Sequence, residues 1–358
     1  MRVLRVINSL NIGGAERSIV ENVPIHIKNG IDMDVLLLNG RNTFFLDLLK
    51  KEKVNIYSLG ETVNIYNPFL IFRLIKFFKN YDIVHVHLFP ALYWVAFARI
   101  LSFSKINLVF TEHATNNRRR SVPILKFFDK LIYAQYKVII AISQGTKDNL
   151  VEHLKLKSDK IKVINNGVNF NRLKAEGEIN NFSVDYDFDS KKILLQIASF
   201  REAKDQDTLI RALTNLPEEY DAVFIGDGFR LEYCRELARK LGVEKRVHFL
   251  GMRDSIGAYI AKSDYVIVSS NWEGFGRAAV EGMGMGKIVF ASNVTGLREV
   301  INNDDLLFEV GNDVELAHKI LNINKENFDL LTKHCLDQSK KFSIDNMILQ
   351  YEDVYKSL

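Results

Sequence analysis

Glu273 and Glu281 stand eight residues apart on either side of Gly274-Phe275-Gly276-Arg277, within the run SNWEGFGRAAVEGMGMGKIVFASNVTGLRE. Glycines that end a loop and open a helix leave backbone N–H groups pointing outward. A helix N-terminus of this kind favours an anion, and a diphosphate is the usual one. Glu281, further inside the helix, is placed to accept hydrogen bonds from ribose hydroxyls. Glu273, in the loop, is free to face whatever the diphosphate carries. Arg277 adds a cation near the phosphates or lies on the surface. Glu299, beyond Gly296, is a weaker candidate for the same shell.

Other turns repeat the pattern at strand ends. Gly13 and Gly14 follow the first apolar run, and two glycines at a strand-to-helix turn let the backbone approach a phosphate or sugar. The same pair also makes an ordinary turn, and it is not a dinucleotide-binding Gly-x-Gly-x-x-Gly fingerprint. Gly226-Asp227-Gly228 follows DAVFI, and Gly251 and Arg253 follow VHFL. His85 and His87 lie in the run DIVHVHLF and are read as alternating between opposite strand faces. That reading makes a paired metal site there unfavourable. His87 is nearer the carboxyl end, where α/β sites form, and His85 reads as a core histidine.

These loops need strands to hold them. Short apolar runs alternate with amphipathic stretches throughout, the pattern of parallel α/β sheets. Strands are expected at 2–8, 33–38, 82–86, 107–111, 137–142 and 161–164, then at 192–198, 221–225, 246–250, 264–269 and 288–291. Helices are expected at 15–29, 68–79, 89–103 and 144–154, with Ser143 as an N-cap and Pro68 in a first turn. The polar stretch 169–190 reads as a connection between an N-terminal domain, 1–168, and a C-terminal domain, 191–342. The segment 343–358 is a helix with Ile344, Ile348, Tyr351 and Tyr355 on one face.

Length and composition agree with two globular domains. The chain has 358 residues, 47% hydrophobic and 26% charged, with 5 prolines. Cys234 and Cys335 lie far apart in helix-like contexts, which fits a reducing compartment and no disulfide framework. The opening MRVLRVINSL reads as a strand rather than a signal peptide, and no run is apolar for the roughly 18 residues a membrane span needs. The expected setting is cytoplasmic.

The net charge of +4 is unevenly spread. Residues 1–175 carry 26 Lys+Arg against 13 Asp+Glu, a net of +13, and the remainder carries 22 against 31, a net of −9. The basic half suits an anionic membrane surface or a lipid diphosphate, or is a solvated lysine-rich face. No nucleic-acid recognition motif is present. Arg118, Arg119 and Arg120, joined to the aromatic run VPILKFFDKLIY, either meet a membrane or form a solvated charge run beside a buried helix.

With Glu273 and Glu281 at this spacing, flanked by DYVIVSS and TGLREV, the chain resembles the large family of retaining glycosyltransferases of the glycosyltransferase B fold. That fold is two Rossmann-like, doubly wound domains facing a cleft. The resemblance spans nearly the whole chain and implies that the terminal helix crosses back onto the first domain. It makes Gly13 and Gly14 the acceptor-side loop, with His87 nearby. It makes His113 a sugar-positioning group beside the anomeric carbon, catalytic together with Glu273.

The donor side also follows from the resemblance. Lys204 matches a family lysine that clamps the donor diphosphate. The family arginine falls on Ser199, while an arginine stands two residues on at Arg201. The diphosphate site is then Lys204, Arg201 and the Gly274–Arg277 turn, with Phe275 and Gly276. The nucleoside site is Glu281, Gly226, Gly228, Gly251 and Arg253.

The implied reaction moves a hexose or N-acetylhexosamine, with retention, from a nucleotide sugar to a hydroxyl. UDP-sugar is the first expectation by family. The acceptor is a glycan or a polyprenyl-diphosphate-linked glycan, met on the inner face of the cytoplasmic membrane in capsule or O-antigen synthesis. No metal or other cofactor is expected. The competing readings are a nucleotide-sugar epimerase of similar shape and a noncatalytic partner subunit.

Overall fold

The computed structural model describes all residues except 12, 114–122, 156–157, 179–187 and 189, and the backbone alone at 123–125 and 158. The chain divides into two compact units. Unit 1 comprises Met1–Gly167 with Ile344–Leu358, and unit 2 comprises Val168–Ser343.

In unit 1 the elements run β1 (Arg2–Ile7), α1 (Gly14–Lys28), β2 (Asp32–Leu37), α2 (Phe44–Lys51), β3 (Ile56–Ser58), α3 (Leu70–Ile75), β4 (Ile83–His87), α4 (Ala91–Leu101), β5 (Asn107–Glu112), α5 (Pro123–Ala134), β6 (Val138–Ala141), α6 (Gln144–Leu154) and β7 (Ile161–Val163). Unit 2 continues with α7 (Phe170–Gly177), β8 (Lys192–Ile197), α8 (Gln206–Ala212), β9 (Tyr220–Ile225), α9 (Leu231–Lys240), β10 (Val247–Phe249), α10 (Ile256–Lys262), β11 (Tyr265–Val268), α11 (Arg277–Gly284), β12 (Ile288–Ser292), α12 (Thr295–Ile301), β13 (Leu307–Phe308), α13 (Asp313–Leu321) and α14 (Lys325–Ser339). The last helix, α15 (Ile344–Lys356), returns to unit 1.

Each unit is one parallel sheet. The orders are β3-β2-β1-β4-β5-β6-β7 and β10-β9-β8-β11-β12-β13. In both, the strand order reverses beside the first strand, between β1 and β4 and between β8 and β11. Crevices at such reversals, outside the strands' carboxyl ends, are where open α/β sheets bind ligands.

The sheet of unit 1 is buried on both faces, as a parallel sheet must be. Alternation along β1 sends Leu4 and Val6 to one face, under α3, α4 and α5, and Val3 and Ile7 to the other, under α1 and α15. Ile344, Ile348, Tyr351 and Tyr355 of α15 are all buried there. The expected stripe is therefore an apolar face that completes the core of the first unit.

Several expectations need correction. The segment 169–190 is not all connection, because α7 lies in it and belongs to unit 2. Asn169 caps α7 by accepting from the Arg172 N–H, and Leu173 is fully buried. Glu176 accepts from the Gly257 N–H at 2.8 Å, fixing α7 on α10. A Cβ at Gly257 would stand 2.2 Å from the Leu173 carbonyl, so the helices approach this closely only over glycine. The helix expected over 68–79 breaks into α3 and a 3₁₀ turn, Phe78–Asn80, and Pro68 stands ahead of α3. Ser143 does cap α6, accepting from the Thr146 N–H at 3.1 Å.

Candidate functional site

At the reversal point of unit 1, Asn8 ties two loops together. Its amide donates to the Phe89 carbonyl at 2.7 Å, and its side-chain oxygen accepts from the Ala91 N–H at 3.2 Å. Gly13 is the extended N-cap of α1, with φ −172°. A Cβ there would meet only the Glu16 carboxylate, which can swing away. The value of Gly13 and Gly14 is a bare backbone at the carboxyl end of β1, with no strained φ involved.

His85 and His87 do not lie on opposite faces. Side chains two apart on a strand share a face, because the pleat has a period of two. Their rings stack with centroids 4.5 Å apart and planes 22° off parallel. The register adds Arg5, directly beside His85, and Thr111, directly beside His87. All four point into the layer under α1 and α15.

The result is a buried polar network in an otherwise apolar layer. Arg5 is fully buried. One guanidinium nitrogen lies 2.9 Å from His87 Nε2 and another 3.4 Å from His26 Nε2. Its charge also sits over the Tyr351 ring, 5.0 Å from the centroid. His26 Nδ1 is 3.4 Å from Glu352, so a carboxylate stands one imidazole away from the cation. His85 bonds Tyr355 and Thr111, both at 2.7 Å. His87 Nδ1 is 3.0 Å from His113 Nε2, just past the end of β5.

Burial is the main force holding these rings neutral, and the Arg5 charge adds to it. His113 is pushed down to about 3 and His26 to about 2, and His85 and His87 also fall well below the usual histidine range. His113 can therefore offer a neutral imidazole at the rim of the site. Arg118, Arg119 and Arg120 lie outside the described residues.

At the reversal point of unit 2, Lys204 follows β8 and Glu273 follows β11. The two side chains form an ion pair, with about a fifth of each exposed. Glu273 also accepts from the Gly274 N–H at 3.2 Å. Glu273 is therefore engaged, and the expectation that it stands free fails: the lysine expected at the phosphates holds it. Phe275 is buried against Phe342, so only its backbone can face a ligand. Gly276 caps α11 at φ +85°, where a Cβ would meet Leu297 of α12 at 2.3 Å.

Glu281 is buried and accepts from Arg277 Nε at 2.9 Å, one helical turn apart. Arg277 is thus a partner of Glu281 and not a surface cation. Behind the loop, Gly296 of α12 is a residue whose need the sequence reading did not see. A Cβ there would stand 2.6 Å from the Glu273 carbonyl and 2.7 Å from the Gly274 carbonyl carbon.

The neighbouring loops are laced by backbone. Gly226, at φ +141°, would drive a Cβ to 2.0 Å from the Ala198 carbonyl, and Gly228 to 2.4 Å from that of Phe200. The Gly226 N–H donates to the Gly251 carbonyl at 2.9 Å. Arg253 donates to the Tyr259 hydroxyl at 2.8 Å. Arg201 is exposed in the turn that carries Lys204, where the Lys204 N–H donates to the Arg201 carbonyl at 2.9 Å. Glu299 sits half-buried on α12. Among the described residues, no group of three His, Cys, Asp or Glu is gathered to hold a metal ion, and no helix is long and apolar enough to cross a membrane. Both cysteines are buried and free.

Comparison with known proteins meets this geometry half by half. Residues 12–172 match the family model described as Glycosyltransferase Family 4, and residues 179–341 match Glycosyl transferases group 1. The N-acetyl-alpha-D-glucosaminyl L-malate synthase of Bacillus anthracis is 28% identical over 331 residues, covering 86% of this chain and 85% of that one. The N-acetylgalactosamine-N,N'-diacetylbacillosaminyl-diphospho-undecaprenol 4-alpha-N-acetylgalactosaminyltransferase of Campylobacter jejuni is 24% identical over 326 residues, covering 86% of each chain. The solved structure of Alr3699/HepE from Anabaena, in complex with UDP and glucose, superposes with a TM-score of 0.87 over 100% of both chains at 22% identity, a likeness of fold. With both halves matched in order, and each sheet reversing where its loops gather, the chain belongs to the two-domain glycosyltransferases of the glycosyltransferase B fold.

Proposed function

We propose that the protein transfers a hexose or N-acetylhexosamine, with retention, from a nucleotide diphosphate sugar to a hydroxyl of a glycan or polyprenyl-diphosphate-linked acceptor. The observation that carries this reading is the Lys204–Glu273 pair beside the open end of α11, at the strand reversal of unit 2. A diphosphate arriving there replaces one carboxylate as the partner of Lys204, and the first N–H groups of α11 add to its hold. Arg201, in the same turn, reaches the phosphates from outside. Glu281 is steadied by Arg277 and keeps an oxygen for the ribose. The loops at Gly226, Gly228, Gly251 and Arg253 border the base.

Unit 1 takes the sugar and the acceptor through Gly13, Gly14, His87 and His113. The acceptor oxygen forms a bond to the anomeric carbon as the bond to the diphosphate breaks. The released electron pair goes to the diphosphate oxygen, which also takes the acceptor's proton. Lys204 and the α11 terminus stabilise that charge without a metal. A UDP-sugar is the favoured donor. The Anabaena structure with UDP and glucose supports that choice, and the undecaprenol-linked substrate named for the Campylobacter relative supports a lipid-linked acceptor.

The acceptor's lipid suits one face of unit 1. Helices α3, α4 and α5 lie together on the sheet, and their outer surface exposes Phe72, Leu101, Phe127 and Leu131, with Phe103 91% exposed just beyond α4. Arg73, Lys76, Lys105 and Lys130 are exposed on the same segments. Apolar side chains among basic ones are what an anionic membrane surface attracts.

Calorimetry with UDP, GDP and ADP tests the donor site. One nucleotide binds, and Glu281→Ala weakens it by about tenfold or more, the value of a lost hydrogen bond to a charged group. Absence of binding by all three would sink the reading. Transfer persists in EDTA, and its loss would remove the metal-free part. Vesicles containing anionic lipid retain the protein, and Phe72→Ser with Phe127→Ser releases it. Equal retention of both proteins would remove the membrane part.

A further inference from the structure

The geometry points to Arg5 as a positioning residue that fixes, through His87, which nitrogen of His113 carries the proton. A guanidinium only donates. Arg5 is fully buried and its nitrogen stands 2.9 Å from His87 Nε2, so that nitrogen must accept. A neutral imidazole that accepts at Nε2 carries its proton on Nδ1. His87 Nδ1 is 3.0 Å from His113 Nε2 and therefore donates to it. His113 Nε2 must accept in turn, which leaves its proton on Nδ1. Among the described residues the relay ends at His113 Nδ1, one oriented donor.

The second arm of Arg5 has the same polarity. His26 Nε2 accepts from Arg5, and its Nδ1 faces the Glu352 carboxylate, which needs a donor. The cation therefore orders two imidazoles at once. Arg5 is held by packing rather than by a carboxylate in contact: Tyr351 and Tyr355 of α15 lie against the guanidinium, with centroids 5.0 and 5.7 Å away. Among the described residues, Nε of Arg5 has no hydrogen-bond partner. A buried guanidinium with one N–H unsatisfied is costly, and the ordering of His113 is what the arrangement gains.

This inference rests on the reading that His113 meets the transferred sugar. In that reading the oriented Nδ1–H donates to a sugar hydroxyl. It also keeps a neutral ring beside an anomeric carbon that gains positive charge, where an imidazolium would repel it. Arg5 touches no substrate and acts through two imidazoles.

The test begins with the unaltered protein. Long-range nitrogen–proton spectra of histidine-labelled protein at pH 7 read each ring's tautomer. His87 and His113 are both expected neutral with the proton on Nδ1. A proton on His113 Nε2, or a charged ring, overturns the inference without touching the glycosyltransferase reading. Next, Arg5→Gln, Arg5→Lys and His87→Leu are compared in transfer assays and in the same spectra. Arg5→Gln and His87→Leu are expected to mix the His113 tautomers and lower kcat about tenfold or more with the nucleotide's Kd unchanged. Arg5→Lys, which still donates, restores the single tautomer and much of the rate. A single unchanged tautomer in Arg5→Gln would overturn the chain. A mixed tautomer with unchanged kcat would leave the chain standing and overturn its role beside the sugar.

Discussion

Unit 1 and unit 2 carry the same sheet reversal, yet they furnish it in opposite ways. In unit 1 the charged and polar groups are sunk into the layer under α15, and the histidines are stripped of charge by burial. In unit 2 one charged pair, Lys204 with Glu273, stands at the partly exposed rim, and a second, Arg277 with Glu281, has its carboxylate buried. A rim pair is only partly desolvated and can exchange one partner for a ligand at modest cost. A sunken network cannot, because every member left unpaired costs its full desolvation. The contrast suggests a division of labour, with recognition by exchangeable charge in one unit and orientation by a fixed scaffold in the other.

The contrast breaks most visibly at Lys204. Lys204→Ala is expected to lower transfer by about 10²–10³-fold, the size seen when a group stabilising developing charge is removed, while thermal unfolding shifts only modestly, because the pair keeps part of its contact with water. A steady-state assay with a melting curve checks both halves of this statement.

Acid should separate the units next. His26 and His113 stand at about 2 and about 3 in the folded protein against 6.5 unfolded. The unfolded chain therefore binds more protons below pH 6.5, and stability, complete above that value, falls as pH drops towards 3. Each group contributes about 1.4 kcal/mol per pH unit in that window, so unit 1 loses on the order of 2–3 kcal/mol by pH 5.5. Urea unfolding followed at pH 7 and 5.5 reads the loss. A flat profile in unit 1 would mean the rings are solvated.

Two smaller substitutions sharpen the picture. Gly296→Ala pushes a methyl against the Glu273 and Gly274 backbone and should cost about 2 kcal/mol, with nucleotide binding weakened as the loop shifts. Calorimetry and denaturation on the same variant separate the two effects. Tyr355→Phe removes one of the two partners of His85 and should cost about 1 kcal/mol of unit 1 stability with nucleotide binding untouched.

Much of this was legible from residue order. Strands of branched apolar residues, and the loops after them, fell within a residue or two of β1, β4, β5, β8 and β11. Glycines flanked by carboxylates pointed to the α11 turn. What escaped was of two kinds. Short edge strands such as β3 and β13 are two or three residues long and leave no periodic signal. Partners distant in sequence were also hidden. Nothing near Lys204 announces that Glu273 closes on it, and Arg5 in RVLRVI looks like a surface arginine until the register sets it beside His85. The misplaced faces of His85 and His87 are a different failure, since the two-residue period was enough to place both together. The α7 helix was masked by its polar outer surface, with Leu173 as its main buried anchor.

Because α15 belongs to unit 1 but is synthesised after all of unit 2, the order of manufacture opposes the order of assembly. The bonds from His85 to Tyr355 and from His26 to Glu352 span 270 and 326 residues. Until those residues emerge, the ribosome holds a first unit whose polar interior is open to water, while unit 2, continuous from 168 to 343, can already close on itself. The earliest-made part of this chain is therefore the last to be finished. A truncation before Ile344 should leave a nascent first unit dependent on chaperones while the second folds unaided.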